Sequence, residues 1–169
     1  SDLISHCCNF ATFDKGGAMT PVNEVGGIRL GVEDWRHPGW LGSFYPGDMP
    51  EDWWLAFYNT QHACVYLGRE AWKSRGPGEI EFWLSETHDH FLFLAEPSGI
   101  GEAPIAHERF LLMPRDHPSI VWFDRTTDLK SLSSWLRAYD PTRPGYALSR
   151  DADLGQIERV RTLLELMGL

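Results

Sequence analysis

The chain has little positive charge. Its 15 Lys and Arg residues face 24 Asp and Glu residues, so the net charge is -9 and the isoelectric point is near 5.1. A nucleic-acid-binding protein needs a basic face to displace counterions from phosphates. An anionic membrane surface also attracts basic clusters. We therefore expect neither a nucleic acid nor a membrane as a partner.

Long hydrophobic runs are missing as well. No apolar stretch approaches the length of a transmembrane helix, and no apolar signal-peptide core opens the sequence. From these absences and the acidic balance we expect a cytoplasmic protein.

Cysteines are few and lack metal-binding spacing. Cys7 and Cys8 are adjacent, and Cys64 lies in the apolar run ACVYL, where it is predicted to be a small buried hydrophobe. An odd count without a Cys-x-x-Cys pair favours a reducing compartment and argues against a zinc site. His88 and His90 could offer two imidazoles, but no third ligand has a suitable spacing. We expect no metal and no cofactor.

The motifs of common enzyme classes are also absent. The sequence contains no nucleophile elbow, no phosphate-binding P-loop and no dinucleotide glycine fingerprint. Gly99-Ile100-Gly101 is too short a pattern to indicate one. These absences leave it uncertain whether the protein is an enzyme, and they favour a non-catalytic role.

What is present is enough material for one hydrophobic core. The chain has 169 residues, of which 43% are hydrophobic. Residues 1–26 contain several Gly and Pro breakers and are predicted to form an irregular N-terminal lead-in. Residues 27–169 are predicted to form a single α/β domain.

Strand and helix patterns alternate through that domain. Apolar runs predict strands at 28–32, 63–67 and 91–95, with helices beginning at Asp48 to Pro50 and spanning about 79–87. This βαβαβ pattern implies parallel strands. Further helices are predicted at 127–139 and after Asp153, which has the position of an N-cap. A last short strand is predicted at 146–148.

Two further strands, at 110–113 and 120–123, are separated by a short gap. Residues 114–119 are too few for a helical crossover, which joins parallel neighbours in a sheet. The sequence therefore predicts one antiparallel strand pair in an otherwise mostly parallel sheet.

An aromatic and charged segment follows the first strand. Residues 31–46 read GVEDWRHPGWLGSFYP. This segment resembles the opening of the YecE-like family, also called domain of unknown function seventy-two. The residues that keep the family's pattern are Gly31, Trp35, Pro38, Trp40, Gly42, Phe44, Tyr45 and Pro46. The segments EDWWLAFYNTQHACVYL and HDHFLFLAEP are similar to the family's next helix and strands.

The resemblance implies an eight-stranded βα barrel, a fold that usually needs about 250 residues. This chain is too short for a complete one. The implied architecture is an incomplete TIM-barrel-like or open sheet. The chain also departs from the family where polar groups are expected. Its second strand, from Cys64 to Gly68, lacks the family's carboxylate and amide, and Glu96 or a neighbour replaces the basic residue that ends the family's third strand. These departures imply an ancestral activity that is lost or changed.

Two functions of different class fit this sequence. The first is an uncharacterised, non-catalytic YecE-like protein whose aromatic loop packs on itself or binds a partner. The second is an enzyme or small-ligand-binding protein with a polar pocket at the carboxyl ends of the strands. A homodimer is also predicted, because an incomplete barrel leaves sheet edges and apolar faces uncovered. The candidate ligand-binding residues are Glu33, Asp34, Trp35, Arg36, His37, Trp40, Tyr45 and Glu96.

Overall fold

The computed structural model describes residues 27–99 and 105–169. The predicted lead-in at 1–26, with Cys7 and Cys8, lies outside the described residues. The described chain forms six strands and five helices. The strands are β1 (Ile28–Glu33), β2 (Cys64–Leu67), β3 (Leu92–Ala95), β4 (Phe110–Leu112), β5 (Ile120–Phe123) and β6 (Gly145–Ser149). The helices are α1 (Trp54–Gln61), α2 (Arg69–Trp72), α3 (Pro77–Ser85), α4 (Leu129–Ala138) and α5 (Leu154–Met167).

The strands form one six-stranded sheet in which every pairing is parallel. The strand order is β4-β3-β2-β1-β6-β5. The predicted α/β class and the βαβαβ start are confirmed. The sheet is open, because β4 and β5 are its two edges and do not pair with each other in the described structure.

The predicted antiparallel pair is wrong. β4 pairs in parallel with β3, and β5 pairs in parallel with β6. The prediction treated β4 and β5 as neighbours, whereas they lie at opposite edges. Residues 113–119 reach about 23 Å when extended. This length allows the segment to return along a short strand of about 13 Å and to start the next parallel strand without an intervening helix.

All five helices pack on one face of the sheet. Their buried apolar side chains form a single core cluster with the strand residues that face the helices, such as Val32, Val65 and Phe93. This placement explains the alternation along β2, where Val65 and Leu67 face the helices.

The other face of the sheet curls around a second cluster that contains no helical residue. Its buried members are Cys64, Tyr66, Leu94, Met113, Ile120, Tyr146 and Leu148. The ring centres of Tyr66 on β2 and Trp122 on β5 lie 4.9 Å apart, although β1 and β6 separate their strands. The sheet is therefore strongly curved, and its two edges approach the same interior.

Gly31 is required by the tight approach of β1 to β2. A Cβ atom there would lie 2.5 Å from the Cys64 carbonyl oxygen and 2.7 Å from its Sγ atom. Cys64 is fully buried, as predicted, and burial raises the pKa of its thiol to about 12. It is therefore a packing residue and not a reactive thiol.

Helix starts agree with the sequence in part. Asp153 accepts a hydrogen bond from the Gln156 amide and begins α5, as predicted. The helical segment after Pro50 begins with a 3-10 turn at Glu51–Trp53 and continues into α1. The start lies slightly later than predicted, because Pro50 occupies the N-cap position and no side chain caps this turn.

Candidate functional site at the carboxyl ends of the strands

A polar pocket of about 600 Å³ opens where β1, β2 and β3 end. Parallel strands of one sheet bring the residues that follow them to the same edge, which is where such folds place their sites. The lining residues are Glu33, Asp34, Arg36, Gly68, Arg69, Glu70, Ala71, Arg75, Glu96 and Arg115.

Three charged side chains form the floor of the pocket, and we call them the floor triad: Glu33, Arg115 and Glu96. Both terminal nitrogens of Arg115 donate to the Glu33 carboxylate, with Nη1 to Oε2 at 2.9 Å. Nε of Arg115 lies 3.4 Å from Oε2 of Glu96. Hydrogen bonds with Glu33 and the charges of both carboxylates raise the pKa of Arg115. Two carboxylates therefore share one guanidinium.

Aromatic rings of the interior support the floor triad from below. The guanidinium carbon of Arg115 lies 5.3 Å from the ring centre of Tyr66 and 5.6 Å from that of Trp122. The indole nitrogen of Trp122 also donates to the Arg115 carbonyl at 2.8 Å. Cation–π contact and this hydrogen bond hold Arg115 in place, although its side chain is partly exposed.

Gly68 leaves room beside the floor triad. It caps α2 with φ -58° and ψ 153°, a conformation open to any residue. A Cβ atom at Gly68 would lie 3.0 Å from Arg115 Nη2, 3.3 Å from Glu33 Oε1 and 3.7 Å from Glu96 Oε2. The missing side chain therefore keeps these charged atoms open to the pocket.

Asp34 holds one wall of the pocket in an unusual backbone conformation. Its φ is 61°, which is uncommon for a residue other than glycine. Burial alone would raise the pKa of Asp34, but hydrogen bonds and the charge of Arg36, with the amides of Arg36 and Trp35, hold that pKa below its usual range. Nε and Nη2 of Arg36 each donate a hydrogen bond of 2.8 Å to one of the two carboxylate oxygens of Asp34. This pair is a fixed wall of the pocket.

The predicted aromatic site residues lie elsewhere. Trp35, Trp40 and Tyr45 are buried in the helix-side core and do not line the pocket. The indole nitrogen of Trp40 donates to the Ala152 carbonyl at 3.0 Å, and the Tyr45 hydroxyl donates to the Trp35 carbonyl at 2.6 Å. His37 contacts the carbonyls of Glu33 and Asp34 through Nε2, so it supports the loop behind the pocket.

Of the eight candidate residues, the structure brings four together at the pocket: Glu33, Asp34, Arg36 and Glu96. Sequence reasoning missed Arg115 and Arg69. Arg115 lies in the segment between β4 and β5, and it reaches Glu33 across 82 positions of sequence. The antiparallel prediction hid this contact, because it placed the start of residues 114–119 in a local hairpin.

A second cavity of about 420 Å³ lies at the opposite end of the sheet. Residues 59–63 before β2 and residues around His88, His90 and Phe91 before β3 line it. In the described part of the chain, no three His, Cys, Asp or Glu side chains are grouped as a metal site. No helix in the same residues is long and apolar enough to cross a membrane.

Comparison with known proteins adds one finding to this geometry. Residues 29–100 match the model of a family described as "Protein of unknown function DUF72". This segment has the DUF72 pattern. The predicted resemblance to the YecE-like family is thus confirmed over these residues. No curated protein and no solved structure matches the chain.

Only some of the residues that line the pocket lie within the DUF72 match. The match includes β1, β2 and β3 with Glu33, Gly68 and Glu96, and it ends before Arg115. The match covers less than half of the chain, so the similarity to the DUF72 model is limited to the first part of the domain. The residue that joins the two carboxylates comes from outside the matched segment.

Proposed function

We propose that this protein binds a small polar ligand in the pocket at the carboxyl ends of β1, β2 and β3. The observation that carries the proposal is the floor triad, in which two carboxylates from different strands converge on one partly exposed arginine. Charged groups held in a cleft by hydrogen bonds and ring contacts are typical of a recognition site. A purely structural ion pair would not need an open cavity of about 600 Å³ beside it.

Binding fits the pocket better than catalysis. A general base must present a free lone pair to the proton that it removes. Both oxygens of Glu33 accept hydrogen bonds from Arg115, and both oxygens of Asp34 accept them from Arg36, so neither carboxylate is poised as a base. Glu96, the third carboxylate of the pocket, accepts from the Arg69 amide and lies 3.4 Å from Nε of Arg115, and we assign it to binding. The lowered pKa of Asp34 makes it a weaker base still. We therefore propose a non-catalytic, ligand-binding protein whose sheet is a partial barrel.

The burial of the loop aromatics favours packing over partner binding. Trp35, Trp40 and Tyr45 are each at most 5% exposed, so a partner protein could not reach their rings without opening the core. We also propose that this loop supports the wall of the pocket from the helix side of the sheet.

A pair of matched glycine variants tests the proposal. Gly68→Ala places a methyl group against the floor triad, whereas Gly76→Ala meets no atom within 4 Å. Both glycines precede a helix with similar extended backbone, so neither change strains the backbone, and only the Gly68 methyl group requires neighbouring side chains to shift by a few tenths of an ångström. We expect hits from a polar-metabolite screen to raise the unfolding temperature of wild type and Gly76→Ala, but not that of Gly68→Ala. Equal stabilisation of both variants, or a screen without hits, would contradict the proposal.

A further inference from the structure

The charges of the floor triad do not balance. One guanidinium serves two carboxylates, which leaves one negative charge in excess. Oε2 of Glu96 accepts from the Arg69 amide at 3.0 Å and lies 3.4 Å from Arg115 Nε. Oε1 of Glu96 accepts no hydrogen bond from the residues that the structure describes. The floor therefore presents a carboxylate oxygen that is free to take a donor.

Arg69 supplies a positive charge that has no acidic side-chain partner among the described residues, and it lines the same pocket as Glu96. Its amide is bound to Glu96, and its Nε donates to the Pro97 carbonyl at 2.9 Å. These two contacts lay the side chain along residues 96–97. Its two terminal nitrogens have no hydrogen-bond partner within 27–99 and 105–169. They present a fork of donors to the pocket.

The other arginines of the pocket are already occupied. Arg36 is held by Asp34, and Nη1 of Arg75 donates to Glu79 at 2.9 Å. Arg69 is thus the pocket's cation without an acidic side-chain partner in the described residues. Among the described residues, the groups of the site without a partner are one carboxylate oxygen of Glu96 and the terminal nitrogens of Arg69, and the hydrogen bond from the Arg69 amide to Glu96 joins the two residues that carry them.

We propose that the ligand is a small zwitterion with an ammonium and a carboxylate group, the ammonium bound by Glu96 and the carboxylate by Arg69. A planar guanidinium binds a carboxylate through two parallel hydrogen bonds. A ligand with a single charge would satisfy one group and desolvate the other without a partner. This inference rests on the proposed function, because it names the ligand class of the same pocket.

Titration calorimetry with a matched series tests the ligand class. The probes are glycine, β-alanine and 4-aminobutanoate, which vary the spacing between the two charges, with butanoate and butylamine as single-charge controls. We expect at least one zwitterion to bind more tightly than either control by about tenfold or more, the gain typical of one added charge-assisted hydrogen bond. Equal affinity of butanoate or butylamine would overturn the inference.

Three variants assign the two ends of the ligand. Arg69→Gln should reduce the affinity of the zwitterion to that of butylamine, and Glu96→Gln should reduce it to that of butanoate. Arg143→Gln, in the exposed loop before β6, is the control and should leave it unchanged. The unfolding temperature of each variant without ligand separates lost binding from lost folding. If Glu96→Gln does not fold, Arg69→Gln alone decides.

The two proposals can fail separately. Binding of a sugar or a singly charged ligand that is lost in Gly68→Ala would keep the pocket and reject the zwitterion. Zwitterion binding that survives in Gly68→Ala and Arg69→Gln would reject both.

Discussion

At the scale of single residues, His62 has the least favourable environment in the described chain. It lies between the rings of Tyr58, 4.6 Å away, and Phe44, 5.8 Å away. Neither ring nitrogen has a well-formed hydrogen bond among the described residues, and a weak backbone contact with Leu30 only opposes the lowering of its pKa. Burial and the charge of Arg161 lower the pKa of His62 to about 3. The folded state therefore holds a neutral imidazole, whereas the unfolded chain is protonated below about pH 6.5.

This difference gives His62→Phe a predictable effect on acid stability. Between about pH 6.5 and pH 3 the unfolded state binds the additional proton, so stability falls as pH decreases. The contribution of His62 is at most about 1.4 kcal/mol per pH unit. We expect His62→Phe to reduce this slope and to leave stability at pH 7 unchanged or higher, because a ring of similar shape removes unpaired polar atoms.

Urea unfolding from pH 7 to pH 4 measures the slope, with His90→Gln as an exposed control that should keep it. If the wild-type and His62→Phe slopes are the same, His62 is not the neutral, buried group described above.

Trp40 shows how one loop residue joins distant parts of the chain. It is buried, contacts Phe44 and Tyr45, and donates to Ala152 in the loop before α5. We expect Trp40→Ala to destabilise the protein by about 3–5 kcal/mol, the usual cost of deleting a buried indole. Trp53, which is 63% exposed, provides the matched control, and Trp53→Ala should change stability by less than about 0.5 kcal/mol.

Chemical denaturation of both tryptophan variants gives the two values. A cost for Trp40→Ala as small as that for Trp53→Ala would show that the aromatic loop is not part of the core.

At the scale of elements, the end of α3 depends on one buried arginine. The two terminal nitrogens of Arg109 donate to the carbonyls of Leu84, Thr87 and His88 and to the Thr87 hydroxyl. The last carbonyls of a helix have no partner within it, and a cation near this end is favourable. Arg109 thus fixes α3 against the start of β4, with no carboxylate partner in the part of the chain that the structure describes.

Arg109→Lys should destabilise the protein by about 2 kcal/mol, because an ammonium keeps the charge but cannot reproduce the fork. Arg137→Lys is the control, since Arg137 is an exposed residue in the last turn of α4. Thermal and urea unfolding compare the two. If Arg109→Lys is as stable as Arg137→Lys, the fork is not what holds the end of α3.

The sequence predicts the elements better than their arrangement. Short apolar runs identify β1 to β3, because strands covered on both faces are continuously apolar. Asp153 identifies the start of α5, because its side chain competes locally for a free amide. The partners of β4 and β5 are set by curvature of the whole sheet, and no local pattern records this.

The residues of the candidate site were likewise predictable from the sequence only in part. Glu33 ends β1, Asp34 and Arg36 come soon after it, and Glu96 follows β3. Their place at one edge of the sheet follows from parallel topology. Arg115 reaches the site through a return segment whose direction depends on which strands are neighbours. Trp40 and Tyr45 have the residue types of a binding loop, but the helix-side core provides them with apolar surroundings and backbone acceptors.

At the scale of the whole molecule, the open sheet has two edges, at β4 and β5, that pair with no other strand of residues 27–99 and 105–169. Unpaired edges favour association with another chain. Homodimerisation therefore stays a prediction, as does a cytoplasmic location. We expect light scattering to show a mass that rises with concentration, and Leu112→Lys to return the chain to a monomer. Leu112 lies on β4 and is 38% exposed. A monomer mass at every concentration would contradict the dimer.

We propose that the ligand binds in the pocket around the floor triad. An amide NMR titration of labelled protein with the best ligand tests it most directly. We predict that the largest shifts occur at Gly68, Arg69, Glu96 and Arg115. The largest shifts at Thr60, His88 and Phe91 would instead place the ligand in the cavity at the opposite end of the sheet and would contradict the account.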